Sequence, residues 1–287
     1  MKTFFDCIPC FVRQSLDSVR FATPDETIHE RVLREVLRVA QEMDLCQSPP
    51  VMAQQLHRRI RELTGESDPY REVKDRFNRL ALAQYPEFRD RVARSADPME
   101  AAVRLAIAGN VIDFGVNSHL TEQEVHDALL SATSTPLACD LREFCGAVAR
   151  ANRILYLADN AGEIVFDRLL IERIPPEKVT LVVRGAPIIN DATMADAQAS
   201  GLAEIVEVID NGSDAPGTLL DDCSEAFRTR FQSADLVIAK GQGNYESLSE
   251  TEKDVWFLLK AKCPVIARDL GCEVGTFVVR HSISAIR

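Results

Sequence analysis

The sequence predicts an α/β protein: a Rossmann-like three-layer α/β/α sandwich with a mostly parallel sheet, joined to an N-terminal all-α domain. Two observations carry this expectation. Up to about residue 150, apolar residues recur at helical spacing, as Ile28, Val32, Val36 and Val39 do. After Ala151 the period changes, and short apolar runs alternate with helical stretches, the pattern of a parallel sheet flanked by helices. The 287 residues are enough for two packed units. The predicted domains are therefore 1–150, helical, and 151–287, α/β/α.

In the first half, helices are expected over 26–43 and 98–114. Pro49-Pro50, Asp68-Pro69 and Asp97-Pro98 are breaks, the last setting proline at a helix start. Thr121 followed by Glu124 has the form of a capping box, so another helix is expected there. In the second half the apolar runs 154–158, 179–183, 204–209, 235–239, 255–259, 264–267 and 276–279 are expected strands. Between them, 163–174, 191–200 and 219–233 are expected helices.

Composition bounds the function. A formal charge of −11 opposes nonspecific nucleic-acid binding, which needs Lys and Arg to neutralise phosphates. It leaves room for a small anionic substrate, because a local metal ion can invert the field. No apolar stretch reaches the ~18–20 residues needed to span a bilayer, and Met1–Cys7 has no signal-peptide core. The expectation is a cytoplasmic protein, away from membranes, whose eight cysteines are mostly reduced. Its oligomeric state is not readable.

Three expected strands end in polar segments. The first is Asp159-Asn160-Ala161-Gly162-Glu163, the second Arg184-Gly185-Ala186-Pro187-Ile188-Ile189-Asn190-Asp191, and the third Lys240-Gly241-Gln242-Gly243-Asn244-Tyr245. In a parallel sheet all three emerge at one edge, where ligands bind. Carboxylate and carboxamide oxygens there suit a hard cation such as Mg²⁺ or Mn²⁺, while Lys240 and backbone N–H groups suit phosphoryl oxygens. Each piece also has an ordinary structural reading. Asp159-Asn160 serves a turn or cap equally well, Asp191 could cap the following helix, and Gly241 and Gly243 could serve a tight turn. Gly109-Asn110 interrupts an apolar helix, either for close packing or so that Asn110 and Asp113 overhang the site. Cys7-Ile8-Pro9-Cys10 supplies half of a tetrahedral zinc site, with Cys46, Cys139, Cys145, Cys223, Cys263 and Cys272 as later candidates; incidental thiols are the competing reading. The chain has no Walker A spacing, dinucleotide fingerprint, HExxH or GxSxG.

Taken together, these segments resemble the DUF89 family of damage-control phosphatases with an ARMT1-like metal-binding domain. The resemblance runs nearly end to end. It includes Cys7-Ile8-Pro9-Cys10, Gly109-Asn110-Val111-Ile112-Asp113, Asp159 to Glu163, Ile189-Asn190-Asp191-Ala192-Thr193, Lys240 to Tyr245, and Leu258-Leu259-Lys260-Ala261-Lys262-Cys263. The CxxC start and compact length are similar to the prokaryotic branch. The resemblance implies a phosphatase dependent on Mg²⁺, Mn²⁺, Co²⁺ or Ni²⁺ and acting on small phosphate esters such as sugar phosphates or phosphopantetheine-like compounds. It puts metal ligands at Asp159, Asn160 and Asp191 and a phosphate-facing lysine at Lys240. The expected substrate-binding set is Asn110, Asp113, Gly162, Glu163, Arg184, Gly241 and Asn244, with Cys7 and Cys10 a second metal site. Two alternatives stand beside it: a noncatalytic metal- or ligand-binding module, and a carboxyl methyltransferase using S-adenosylmethionine.

Overall fold

The computed structural model describes residues 1–111, 121–139 and 141–282. Three helices open the chain: α1 (Cys7–Ala22), α2 (Glu26–Glu42) and α3 (Pro49–Thr64). Their apolar stripes, including Phe11, Val19, Val32, Val36, Leu56 and Ile60, form a separate small core. Next come α4 (Arg71–Ala93), α5 (Pro98–Ala108) and α6 (Glu122–Ser131). Asp97 caps α5 by accepting from the N–H groups of Met99 and Glu100, with Pro98 at the first position. Thr121 and Glu124 form the expected capping box of α6.

The remainder follows the order β1 (Leu137–Cys139), α7 (Leu141–Arg150), β2 (Ile154–Leu157), α8 (Glu163–Ile171), β3 (Val179–Val183), α9 (Met194–Ala199), β4 (Glu207–Asp210), α10 (Glu225–Ser233), β5 (Leu236–Lys240), α11 (Gly241–Leu248), β6 (Val255–Lys260), α12 (Pro264–Leu270) and β7 (Phe277–His281). The seven strands lie in the order β1-β7-β6-β5-β2-β3-β4, and every pair is parallel except β6–β7. The α/β class and mostly parallel sheet are as the sequence predicts.

Side-chain alternation divides the sheet's two faces. Ile154, Tyr156, Ile238 and Leu258 face the layer of α4, α5 and α8; Leu155, Leu157, Val237 and Phe257 face α10, α11 and α12. Among the described residues, no helix is long and apolar enough to cross a membrane.

Four expectations are corrected. Residues 264–267 belong to α12: Pro264 occupies the first helical turn, where its missing N–H costs nothing. The expected strand at 204–209 starts only at Glu207, after a 3₁₀ turn over Leu202–Glu204. The expected helix at 219–233 starts at Glu225, where Ser224 caps it through the Phe227 N–H. The stretch to residue 150 is not wholly helical, since β1 pairs with β7 at the sheet edge. Three residues are too few for a period to register.

Chain order reverses at β2. From β2 the chain moves outward through β3 and β4, then returns to β5 on the other flank. The crevice at the carboxyl ends of β2 and β5 is thus the topological switch point, where open α/β sheets bind ligands.

Candidate active site

All three polar segments meet at that crevice. Residue 160 forms a bridge with residue 191, and the Ala192 N–H donates to the Asp159 carbonyl at 2.8 Å, which joins the loops after β2 and β3. Asp191 does not cap α9; Thr193 does so in a capping box with Asp196, leaving the Asp191 carboxylate for the site.

The side chains form one buried polar network. Asp159 Oδ2 accepts from Asn110 Nδ2 and Asn160 Nδ2, both at 2.8 Å. Asn160 Nδ2 also donates to Glu163 Oε2 at 2.9 Å. Arg184 Nε donates to Asp191 Oδ2 at 2.7 Å, and its far end reaches toward Asn244 Oδ1. Asn244 is fixed by donating to the Lys240 carbonyl at 2.7 Å and accepting from Thr218 at 2.8 Å.

Glycines permit the close approaches. Gly241 has φ +76°, and a Cβ there would lie 1.8 Å from Asp159 Oδ2. Gly162, also at φ +76°, donates its N–H to Asn78 Oδ1 of α4 at 2.7 Å. The packing reading of Gly109 is also met, since a Cβ there would lie 3.2 Å from Glu163 Cα. Asn110, directly after it, reaches Asp159 all the same. Asp113 lies outside the described residues.

Lys240 is placed differently from its expected role. Its ammonium is fully buried and donates to the Ala106 carbonyl at 2.8 Å, Glu163 Oε1 at 2.7 Å and Asp167 Oδ1 at 2.5 Å. Its three donors are thereby occupied. The carboxylate neighbours outweigh burial and hold its proton more tightly than in an ordinary lysine.

Sequence reasoning missed Asp167 and its neighbour Tyr156, whose hydroxyl donates to Asp167 Oδ1 at 2.8 Å. The available signal was an Asp four residues beyond Glu163 on an otherwise apolar helix. It also gave no role to Lys260, at the carboxyl end of β6. Lys260 is half-buried, and burial and nearby Lys262 lower its pKa; among the described residues its ammonium has no side-chain partner. Lys262 lies within electrostatic reach of Asp159.

The charge balance is uneven. Asp159, Glu163, Asp167 and Asp191 are buried; among the described residues the buried cations near them are Lys240, Arg184 and Lys74, the last within electrostatic reach of Asp191 but paired with Asp68. Burial, reinforced by Glu163 and Asp191, pushes the Asp159 carboxyl well above the usual range. Burial raises Asp191 to about 6, with Arg184 opposing. Asn110 Oδ1 is buried without a hydrogen-bond partner. Surplus negative charge and an unpaired oxygen fit a hard divalent cation. Among the described residues, no three His, Cys, Asp or Glu side chains are grouped to hold a metal, so a site at Asp159 and Asp191 needs carboxamide oxygen as well. A cleft of about 670 Å³ between α4, α5 and α6 contains none of these groups.

Comparison with known proteins identifies the family and the fold. Residues 3–278 match the family model of the damage-control phosphatase ARMT1-like domain. A damage-control phosphatase of Archaeoglobus fulgidus is 38% identical over 282 residues, covering 96% of this chain and 97% of its own. Another, of Pyrococcus horikoshii, is 36% identical over 286 residues, covering 97% of each. The crystal structure of a DUF89 family protein from Pyrococcus horikoshii superimposes with a TM-score of 0.88 at 34% identity, covering 98% of this chain and 99% of that one.

Proposed function

Since the chain belongs to the damage-control phosphatase ARMT1-like family, which supports a phosphatase role in metabolite damage control, we propose that it is a divalent-metal-dependent phosphomonoester hydrolase acting on small phosphometabolites. The observation that carries this reading is the surplus of buried carboxylates at the sheet's switch point.

Asp159, Asp191 and Asn160 would hold Mg²⁺, Mn²⁺, Co²⁺ or Ni²⁺, with the unpaired Asn110 oxygen beside them. A cation so held supplies Lewis-acid polarisation of a phosphoryl oxygen and a more acidic water. Arg184, fixed by Asp191, sets a guanidinium at the crevice to offset charge on the phosphoryl group. Lys262, within electrostatic reach of Asp159 from beyond the end of β6, adds positive charge at the crevice. Lys240 and Asn160 hold the two oxygens of Glu163 separately, orienting its carboxylate toward the site as proton acceptor for an attacking water. Lys240 therefore serves by positioning Glu163.

The test is phosphate release from p-nitrophenyl phosphate and a panel of sugar phosphates, with Mn²⁺ or Co²⁺ added and with chelator. Activity should require metal and fall at least about a hundredfold in Asp159→Asn. Undiminished turnover by that variant in chelator refutes the proposal.

A further inference from the structure

Cys7 and Cys10, at the start of α1, belong to no group of three metal ligands among the described residues. The unused chemistry of the fold lies instead in a second buried lysine. Among the described residues the buried lysines and arginines are Lys74, Arg184 and Lys240. All three N–H bonds of the Lys240 ammonium are in use, and each guanidinium nitrogen of Arg184 already donates, to Asp191, Thr218 or Asn244. Lys74 of α4 differs. Its side chain is 0% exposed and its ammonium lies 2.8 Å from Asp68 Oδ2, yet it makes no hydrogen bond. Asp68 Oδ1 is buried without a partner as well. Unmade hydrogen bonds of buried groups are costly, so an ammonium with three of them calls for an explanation.

Helix geometry fixes where Lys74 stands. Its backbone N–H donates to the Tyr70 carbonyl at 2.8 Å, so Tyr70, Lys74 and Asn78 follow one another along one face of α4. At one end of that row Tyr70 packs on Ile188 and Ile189, in the loop after β3. At the other, Asn78 Oδ1 accepts from the Gly162 N–H at 2.7 Å, in the loop after β2. The two loops meet between these contacts, where the Ala161 N–H donates to the Asn190 carbonyl at 2.8 Å and Asn160 bridges Asp191. Lys74 therefore stands over the seam that carries Asp191, and its charge acts on that carboxylate. The seam is held against backbone preference, since β-branched Ile189 takes a left-handed φ of +43°. It also leaves a second donor unused: Asn190 Nδ2 is buried without a partner.

We propose, resting on the phosphatase reading, that Lys74 is a substrate-binding residue whose ammonium donates to the phosphoryl oxygens of the ester, with Asp68 as its partner when no substrate is bound. The helical unit then supplies the phosphate-facing lysine that the sequence places at Lys240. A phosphate monoester brings negative charge and several acceptor oxygens, which satisfy the ammonium and the Asn190 amide together. Asp68 balances the buried charge until the anion takes its place. Lys74 is enclosed as Asp191 is, 0% against 4% exposed, so phosphate admitted to one parts the same seam between α4 and the two loops.

Calorimetric titration with inorganic phosphate at saturating Mg²⁺ tests this without turnover. Lys74→Met should weaken phosphate binding at least about tenfold. Asp68→Asn should bind phosphate more tightly than wild type, because the ammonium loses its competing partner. Asp68→Asn/Lys74→Met removes both charges together, so it should fold while binding as weakly as Lys74→Met. In steady state, KM for p-nitrophenyl phosphate should rise in Lys74→Met by a larger factor than kcat falls. Wild-type phosphate affinity in the double variant overturns the assignment, as does wild-type protein that takes up no phosphate. Weakening in Asp68→Asn equal to that in Lys74→Met also overturns it, because the pair would then be a strut for α4. Wild-type protein that binds phosphate through Lys74 but releases none from any ester would refute the phosphatase reading and leave Lys74 as an anion ligand.

Discussion

Two ionic networks in this molecule use the same residue types to opposite ends. The first clamps α3 to the loop after β4. Arg58 meets Asp214 at 2.5 Å and Asp222 at 3.3 Å, Gln54 donates to both aspartates at 2.7 Å, and Arg61 pairs with Asp214. Arg58 is 46% exposed, so water screens the clamp. The second is the buried cluster around Asp159, where carboxylates outnumber cations and Lys240 is wholly enclosed. In the clamp, hydrogen bonds from Ser213, Gln54 and Arg58, with the arginine charges behind them, outweigh burial and lower both aspartates; in the cluster, burial raises Asp159, Asp167 and Asp191. A network that completes its own charge balance is structural. One that leaves negative charge uncompensated at great desolvation cost is what the proposed cation site requires.

The sharpest way to break the contrast is to remove one cation from each side. Lys240→Met leaves Glu163 and Asp167 buried without their counter-ion and should cost about 3–5 kcal/mol in chemical denaturation. Adding Asp167→Asn should return part of that loss; strict additivity of the two substitutions would refute the shared ion pair.

Acid should separate the regions by sign. Buried His57 of α3 is held at about 3 by burial and by Arg61, below the ordinary 6.5. Below about pH 6.5 the unfolded chain takes the proton that the fold refuses, so stability falls, by about 2 kcal/mol between pH 6.5 and 5. Asp191 behaves oppositely in metal-free protein. Its folded value of about 6 exceeds its unfolded one, so the fold binds the extra proton between about pH 4 and 6. Acidification over that window relieves it by about 1 kcal/mol down to pH 5. Denaturation in chelator should therefore show His57→Gln losing less stability than wild type on acidification, and Asp191→Asn losing more. Curves parallel to wild type would contradict the respective assignments.

A smaller effect is expected at Gly241. Gly241→Ala must adopt left-handed backbone and displace Asp159, at about 1–2 kcal/mol in stability and with a larger fractional loss of phosphate release. Full activity with unchanged metal dependence would show that Asp159 need not sit there. Arg58→Ala, at the clamp, should change stability by less than about 1 kcal/mol and leave turnover intact.

Much of the site was legible because polar residues at the ends of short apolar strands share one edge once the sheet is parallel. Asp159, Asn160, Asp191, Arg184 and Asn244 are found together on that principle. Lys240 shows its limit. Sequence places it at the strand end but does not reveal which way the ammonium turns, and its partners Glu163, Asp167 and Ala106 come from α8 and α5. The proline of Pro264 was a local helix signal outweighed in the reading by the apolar residues after it. β1 offered no signal of its own, because its pairing with β7 spans about half the chain.

The sequence by itself determined the fold class, the helix starts at Pro98 and after Thr121, and the polar loops that meet at the crevice, because period and capping act within a few residues. Only the tertiary structure decided the chain reversal at β2 that makes the crevice and the enclosure of Lys240. Those depend on burial and on charges brought close from distant segments, and electrostatic energy is set by separation in space, which linear order does not encode.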